Sequence, residues 1–286
     1  MMPVRLFVCV SLFLAALWGA GCNIINPAEE VPTYLQIDSF EFQNTRTDNT
    51  GGITHQIRAA YVLYDGKNIG GFDLPAKIPV LASGTKELLI FPTVDNSGLF
   101  SYQLQYAHYT PFKTTLTAAP GKTLTITPKT GYTASTNFYY VEDFENSNDF
   151  VSLSGAPVSS TTDAGEVLDG TRSGKFLVDS SGLTTTVSSN RRFVFVNTNS
   201  EPVLEMDYKS TAFIRVGIYA ENFTQPNYFL TLYPSPKRNK IYVPLNGAIA
   251  KLGTSAANFH LAFQVFAAEG SKSGEAIVDD IKVVLF

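Results

Sequence analysis

The sequence has few of the residues on which most catalytic and metal centres depend. Its 286 residues include two cysteines, three histidines and one tryptophan, and only 16% of them are charged. The histidines, His55, His108 and His260, lie far apart and lack the spacing of a metal-binding motif. No Gly-x-Ser-x-Gly motif of a serine hydrolase occurs either. These absences predict a protein that is not an enzyme.

Positive charge is scarce as well. The 21 lysine and arginine residues are outnumbered by 25 acidic residues, and the net charge is −4. The basic residues form no stripe, so neither a nucleic acid nor an anionic lipid surface is expected as a partner. Low charge together with many aromatic and threonine residues is typical of β-sandwich proteins.

The one long apolar run is Leu6 to Ala20, which follows Arg5. A membrane-spanning helix needs roughly 20 apolar residues, so this shorter run with a basic start and a small-residue end indicates a secretory signal. The end of the run, Gly19-Ala20-Gly21-Cys22, resembles the lipobox of bacterial lipoproteins, in which the cysteine is acylated. The resemblance implies a signal peptide over residues 1–21, lipidation of Cys22 and a tether over residues 22–32. Ordinary cleavage near Ala20 or Gly21, without an anchor, is the alternative.

The tether contains a short acidic motif, Ala28-Glu29-Glu30. This motif resembles the acidic export signals that follow the lipidated cysteine in surface lipoproteins of Bacteroidota. The resemblance implies a protein of the outer membrane, lipid-anchored and exposed at the cell surface, so that the membrane is a partner through the N-terminal anchor. A periplasm-facing anchor is the alternative.

Beyond the tether, strand signals are plentiful and helix signals are poor. The stretch Asp65-Gly66-Lys67-Asn68 between two apolar runs predicts a hairpin, because glycine adopts the positive φ that tight hairpin turns require. Strand candidates recur about every 8 to 12 residues, which is the spacing of a sandwich. The sequence therefore predicts an all-β protein of two β-sandwich domains, residues 33–128 and 138–286, joined by a polar linker at residues 129–137.

The first domain contains the segments AAYVLYDGKNIGGFDLP, IPVLASGTKELLIFP and PGKTLTITP, which lie between Ala59 and Pro128. These segments resemble the PEGA domain, a small β-sandwich of bacterial surface and envelope proteins. The resemblance implies a structural or interaction module without catalysis. Within this domain the aromatic stretch LFSYQLQYAHY places Tyr106 and His108 on one face of a strand and Tyr109 on the other. The first face is expected in the core, and a protein-contacting loop is the alternative.

The second domain contains the segments VEDFEN, DGTRSGKFLV, LEMDYK and AIVDDIKVVLF. These segments resemble the jelly-roll carbohydrate-binding modules and their relatives that do not bind sugar. The resemblance implies a jelly roll over residues 138–286 that binds a glycan at the cell surface. The alternative is an accessory or structural subunit of an outer-membrane complex for transport, secretion or motility, with a protein as partner.

The last strand of the jelly roll carries an aspartate on its apolar face. By alternation, Asp279 points the same way as Ile277 and Ile281, and a buried carboxylate is costly unless it is paired or metal-bound. The family resemblance implies a structural calcium bound by Asp279, by Asp143 or Glu145, and by oxygens of the loop that begins at Asp169. The alternatives are that Asp279 caps a turn or faces water at a bulge.

Alternation also predicts an outward face on the strands PVLEMDYK and AFIRVGIYA. Sugars bind flat aromatic rings and planar polar groups, and this face combines the two. A solvated face with cross-strand charge pairs is the alternative. The candidate ligand-binding residues are Asp207, Arg215, Tyr219, Tyr233, His260 and Gln264.

Overall fold

A computed structural model describes residues 29–96, 103–146, 148–195, 201–220, 224–252 and 257–286. The expected signal peptide, Cys22 and the first part of the tether lie outside the described residues. In the described ranges, no helix is both long enough and apolar enough to cross a membrane.

The predicted all-β fold is confirmed: the described residues form 22 strands and one short helix. In chain order these are β1 Thr33–Ile37, β2 Glu41–Phe42, β3 Ile57–Tyr64, β4 Lys67–Asp73, β5 Ala76–Val80, β6 Thr85–Asp95, β7 Gln103–Gln105, β8 Phe112–Thr117, β9 Thr123–Thr125, β10 Lys129–Thr130, β11 Asn137–Glu142, β12 Phe150–Ser154, β13 Ser159–Thr161, β14 Ser173–Val178, β15 Thr184–Ser189, β16 Phe193–Phe195, β17 Val203–Ser210, β18 Phe213–Tyr219, β19 Asn227–Leu232, β20 Ser235–Pro244, α1 Asn246–Ala250, β21 Ala257–Phe266 and β22 Gly274–Leu285.

The N-terminal unit is a small sandwich. A three-stranded sheet, β5-β1-β9, packs on a five-stranded sheet, β4-β3-β6-β7, in which β8 also pairs with β6. The predicted hairpin joins β3 to β4 through Asp65 and Gly66, whose φ angles of 50° and 73° are those of a tight primed turn. The core between the sheets is aliphatic, because alternate residues of each strand point inward.

The C-terminal unit is a sandwich of two six-stranded antiparallel sheets. One has the order β13-β14-β22-β17-β20, with β11 also paired to β22. The other has the order β12-β15-β21-β18-β19, with β16 also paired to β21. Their inner faces share one large core, which includes Met206 and Ile281 from the first sheet and Val216 and Phe263 from the second.

The N-terminal unit packs on the outer face of the first of these two sheets. A separate cluster, here called the seam, joins the units and consists of Val94, Tyr106, Tyr109, Tyr132, Val203, Tyr242 and Val284. Residues 129–137, which were expected as a linker, are packed: β10 pairs with β2, and Tyr132 is buried in the seam. The sheet of β22, β17 and β20 is therefore called the covered sheet, and the sheet of β21, β18 and β19 is called the open sheet.

Candidate functional site

Two central strands of the open sheet, β18 and β21, present a polar face. The prediction that β17 and β18 form this face together is wrong, because β17 belongs to the covered sheet. Ile214, Val216 and Ile218 of β18 point into the core, so the residues between them point outward. The register places Arg215 opposite Gln264 and Tyr219 opposite His260. Side chains from both strands therefore lie next to each other on the outer face.

An arginine–glutamine pair lies at the middle of this face. Arg215 Nη1 donates a 2.9 Å hydrogen bond to Gln264 Oε1, and Gln264 Nε2 donates to Thr186 Oγ1 at 3.3 Å. The Arg215 guanidinium lies 4.7 Å from the centre of the Phe266 ring, which gives a cation–π contact. These contacts hold the planes of both polar groups in place on a flat aromatic surface.

Aromatic rings continue the surface on one side of the pair. The Phe213 and Phe266 rings stack at 5.1 Å, and Tyr233 meets Phe213 edge-on at 5.4 Å. Tyr233 is 72% exposed, which makes it the most exposed of the large apolar side chains in the described ranges. On the other side, Tyr219 and His260 have ring centres 6.4 Å apart.

Tyr228 of β19 separates two pockets on the open sheet, of about 370 and 430 Å³. Arg215 lines the first pocket, and Tyr219 and Gln264 line the second. The Tyr228 hydroxyl is buried beside Thr186, outside the ideal geometry of a hydrogen bond. Burial raises the pKa of this hydroxyl, so it stays neutral.

Five of the six predicted ligand-binding residues, Arg215, Tyr219, Tyr233, His260 and Gln264, belong to the open sheet or its rim. The expectation that Asp207 joins them is wrong. Asp207 lies on the covered sheet and is 0% exposed, because the N-terminal unit packs on that face. Phe266 and Tyr228 were missed. Phe266 shares its parity with Gln264 and was detectable, whereas a register shift opposite Val216 and Gly217 displaces Tyr228.

The outer face of the covered sheet holds a buried network of charges. Glu205 accepts 2.6 Å hydrogen bonds from the hydroxyls of Tyr106 and Tyr132, both of the N-terminal part of the chain. Lys240 Nζ lies 3.3 Å from Glu205 Oε2 and 3.2 Å from Asp207 Oδ2. Burial alone would raise the pKa of Glu205, but the nearby lysines and the tyrosine hydrogen bonds lower it below its ordinary value. The network therefore joins the two units and leaves these charges no access to a ligand.

The four predicted calcium ligands come together at one end of the covered sheet, in a pocket of about 200 Å³ that is here called the acidic pocket. Its walls are formed by Asn49, Gly51, Gly52, Asp143, Glu145, Asp169, Gly170, Asp279 and Asp280. A Cβ atom on Gly52 would lie 2.1 Å from Asp280 Oδ2 and 2.2 Å from Asp169 Oδ2, so both carboxylates press against this glycine. Both units contribute to the walls of the pocket.

Asp279 is buried as expected, but it does not share a face with Ile281. A β-bulge shifts the register after Asp279, and Asp280 has a φ of 47°. Val278 and Ile281 therefore both enter the core, and Asp279 turns toward the acidic pocket. It accepts hydrogen bonds from Ser173 Oγ at 2.6 Å and from the backbone N–H of Asp169 at 3.2 Å.

The electrostatics of the acidic pocket leave a surplus of negative charge. Burial, and to a smaller extent Asp280, raises the pKa of Asp279 to about 8. Burial also raises the pKa of Asp169, and the neighbouring carboxylates add to the effect. The hydroxyl and backbone N–H of Thr171 bind Glu145 and lower the pKa of its carboxyl.

The acidic pocket fits a calcium ion in part. Its donors are carboxylate and backbone oxygens, the hard ligands that calcium prefers. Over the described ranges, however, no three histidine, cysteine, aspartate or glutamate side chains are grouped closely enough to hold a metal ion as they stand. The residues therefore fit calcium in their chemistry and not in their present spacing.

No family model matches the chain, and no curated protein matches it. Among solved structures, one described as showing promiscuous specificity of carbohydrate-binding modules from the β-sandwich superfamily is 14% identical, with a TM-score of 0.35 over 90% of this chain and 99% of its own. A family 16 carbohydrate-binding module is 15% identical, with a TM-score of 0.28 over 45% of this chain and 86% of its own. CtCBM11 is 17% identical, with a TM-score of 0.31 over 54% of this chain and 99% of its own. Scores this low carry no argument about function, and the resemblances to the PEGA domain and to Bacteroidota lipoproteins stay predictions.

Proposed function

We propose that the protein binds a glycan on the outer face of the open sheet and does not catalyse a reaction. The observation that carries the proposal is the row formed by Arg215, Gln264 and the Phe266 ring, in which two planar polar groups are fixed beside an aromatic surface. Sugar rings offer C–H faces to aromatic side chains and hydroxyls to planar hydrogen-bonding groups. The row supplies both within one open surface.

The surroundings of the row support the same proposal. The pockets on either side of Tyr228 have volumes of about 370 and 430 Å³, a size that suits one or two sugar rings. Because Tyr219 and Tyr233 lie at opposite ends of the face, a ligand longer than a single sugar can contact both.

A glycan array probed with the purified protein tests this function. We expect binding to a restricted group of glycans. Gln264→Ala and Tyr219→Ala should each weaken it by about fivefold to tenfold, since each removes a contact worth about 1–1.4 kcal/mol. Lys122→Gln, on an exposed turn of the N-terminal unit, is the control and should bind normally. No binding on the array, together with co-purification of a membrane protein, would contradict the proposal and favour a subunit of an outer-membrane complex.

We also propose that Cys22 is acylated and anchors the protein in the outer membrane, with the sandwiches at the cell surface. The support is the sequence Gly19-Ala20-Gly21-Cys22 after a short apolar run. Cells fed an alkyne-labelled fatty acid should label the wild-type protein and not Cys22→Ala. Externally added protease should digest the wild-type protein in intact cells; protection from the protease would point to the periplasmic face.

A structural calcium ion is proposed for the acidic pocket. The support is that Asp143, Glu145, Asp169 and Asp279 line one pocket, in which burial, and to a smaller extent Asp280, raises the pKa of Asp279. Chelation with EDTA should lower the melting temperature of the protein by several degrees, and added calcium should restore it. Asp143→Asn, at a half-buried position of the pocket, should reduce the effect without preventing folding. If chelation leaves the melting temperature unchanged, the pocket holds no calcium.

A further inference from the structure

The open sheet has an unusual distribution of charge. Its strands β12, β15, β16, β18, β19 and β21 contain no aspartate, glutamate or lysine, and their one arginine is Arg215. The covered sheet differs, since Glu205, Asp207, Lys240 and Lys282 are all buried there. Among the described strand residues, the open sheet therefore offers a ligand one positive charge and no negative charge.

Arg215 makes no ion pair with any described residue. Its side chain is exposed, and its polar contacts are the hydrogen bond to Gln264 and the cation–π contact with Phe266. Arg46 shows the alternative on the same chain, because Asp48 pairs with its guanidinium at 2.6 Å. The Arg215 guanidinium is thus fixed on one edge by Gln264 and on one face by Phe266, while its remaining N–H groups stay available.

We propose that the glycan bound by the open sheet is acidic and that Arg215 binds the carboxylate of a uronic-acid residue; this inference rests on the proposed function. A guanidinium presents two parallel N–H groups that match the two oxygens of a carboxylate, and such charge-assisted pairs are stronger than neutral hydrogen bonds. The Phe266 ring lowers local hydration, which strengthens the pair further. Tyr219 and Tyr228 then contact the neutral parts of the same chain of sugars.

Matched ligands separate the contribution of the carboxylate from that of the sugar. The probes are oligomers of galacturonic acid and of glucuronic acid, each compared with its methyl ester, in which the charge is removed and the sugar backbone is kept. In isothermal titration calorimetry with the full chain, we expect at least one acidic oligomer to bind about tenfold to a hundredfold more tightly than its ester. The difference should shrink as salt is raised, because the site is exposed.

Variants of Arg215 assign the effect to one side chain. Arg215→Gln should bind the acidic oligomer and its ester equally. Arg215→Lys keeps the charge but loses the paired N–H groups, so it should recover only part of the preference. Lys122→Gln removes one positive charge from an exposed turn of the N-terminal unit and should keep the full preference.

Three results would overturn the inference. If the esters bind as tightly as the acids, or if the array shows only neutral glycans, the ligand is uncharged and the proposed function survives. If dextran sulfate binds as tightly as the uronic-acid oligomers and depends equally on Arg215, the site accepts any polyanion. If no glycan binds in the array or in solution, the proposed function fails together with this inference.

Discussion

The two sheets of the C-terminal sandwich share the same alternating sequence pattern, but the outer face of one sheet is buried and the outer face of the other is exposed. In β17 and in β18, alternate apolar or aromatic residues enter the shared core, and polar side chains lie between them. On β17 these are Glu205 and Asp207, both 0% exposed beneath the N-terminal unit. On β18 they are Arg215 and Tyr219, which face solvent beside Gln264 and His260.

Alternation therefore identifies the core face of a strand, but it does not predict whether solvent or a second domain covers the other face. A solvated charge and a charge buried against a second domain occupy the same positions in the sequence pattern. The two surfaces are built differently in detail. The buried charges pair with lysines and accept tyrosine hydrogen bonds, whereas Arg215 pairs with an amide and an aromatic ring.

The largest effect is expected from breaking the buried network. Lys240→Met removes the buried cation that pairs with both Glu205 and Asp207, and Asp207 keeps only the longer ion pair with Arg238, at 3.8 Å. This change should lower the free energy of unfolding by about 3–5 kcal/mol. Arg215→Met, on the open sheet, is the matched control and should cost less than about 0.5 kcal/mol. Urea denaturation of both variants measures the contrast. Equal losses would mean that the covered sheet is not sealed by the N-terminal unit.

A smaller loss of stability is expected at low pH, and it should arise at His108, next to the seam. Burial lowers the pKa of His108 from its ordinary value of 6.5 to about 4. The unfolded chain therefore binds the proton more readily, and this group's contribution, about 3 kcal/mol, is present above pH 6.5 and is lost as the pH falls toward 4.

The variant His108→Asn locates this pH dependence. His108 stacks on Phe286 at 4.2 Å, beside the seam. Asp279, whose pKa burial raises to about 8, contributes with the opposite sign over this range, so the variant is compared with the wild type at each pH. Between pH 7 and pH 4, the unfolding free energy of His108→Asn should rise relative to that of the wild type. A constant difference between the two would assign the acid sensitivity to other groups.

A still smaller effect is expected at the point where the N-terminal unit meets the acidic pocket. Gly52→Ala would push its Cβ against the carboxylates of Asp169 and Asp280, at a cost of about 1–2 kcal/mol. Gly247→Ala is the control, because its added Cβ meets no atom within 4 Å. Thermal unfolding compares the two variants. A loss no larger than that of the control would show that the pocket widens freely.

Much of the architecture could be predicted from the sequence. The strand spacing predicts two sandwiches, and the Asp65-Gly66 turn fixes the first hairpin of the N-terminal unit. Both features depend on local residue chemistry, such as alternation and positive φ at glycine. The outward direction of Arg215 and Tyr219 could be predicted by alternation along β18, but their neighbour is β21 and not β17, which the sequence analysis placed beside them.

The rest depends on contacts between distant parts of the chain. The burial of Asp207 requires the N-terminal unit, with Thr54 donating a hydrogen bond to its carboxylate. The orientation of Asp279 depends on a β-bulge that the sequence does not signal. The residue with positive φ at this bulge is Asp280, and not a glycine. Tyr106 and Tyr109 were assigned to opposite faces, yet both are buried in the seam, where a turn after Gln105 ends the alternation.

The proposed function places the ligand on the open sheet and not on the covered sheet. A titration of the isotope-labelled protein with the tightest-binding oligosaccharide from the array, followed by nuclear magnetic resonance, tests this placement. We predict that the largest shifts occur in β18, β19 and β21, centred on Arg215 and Gln264, and that Glu205 and Lys240 stay unchanged. Shifts confined to the seam or to the N-terminal unit would contradict the claim.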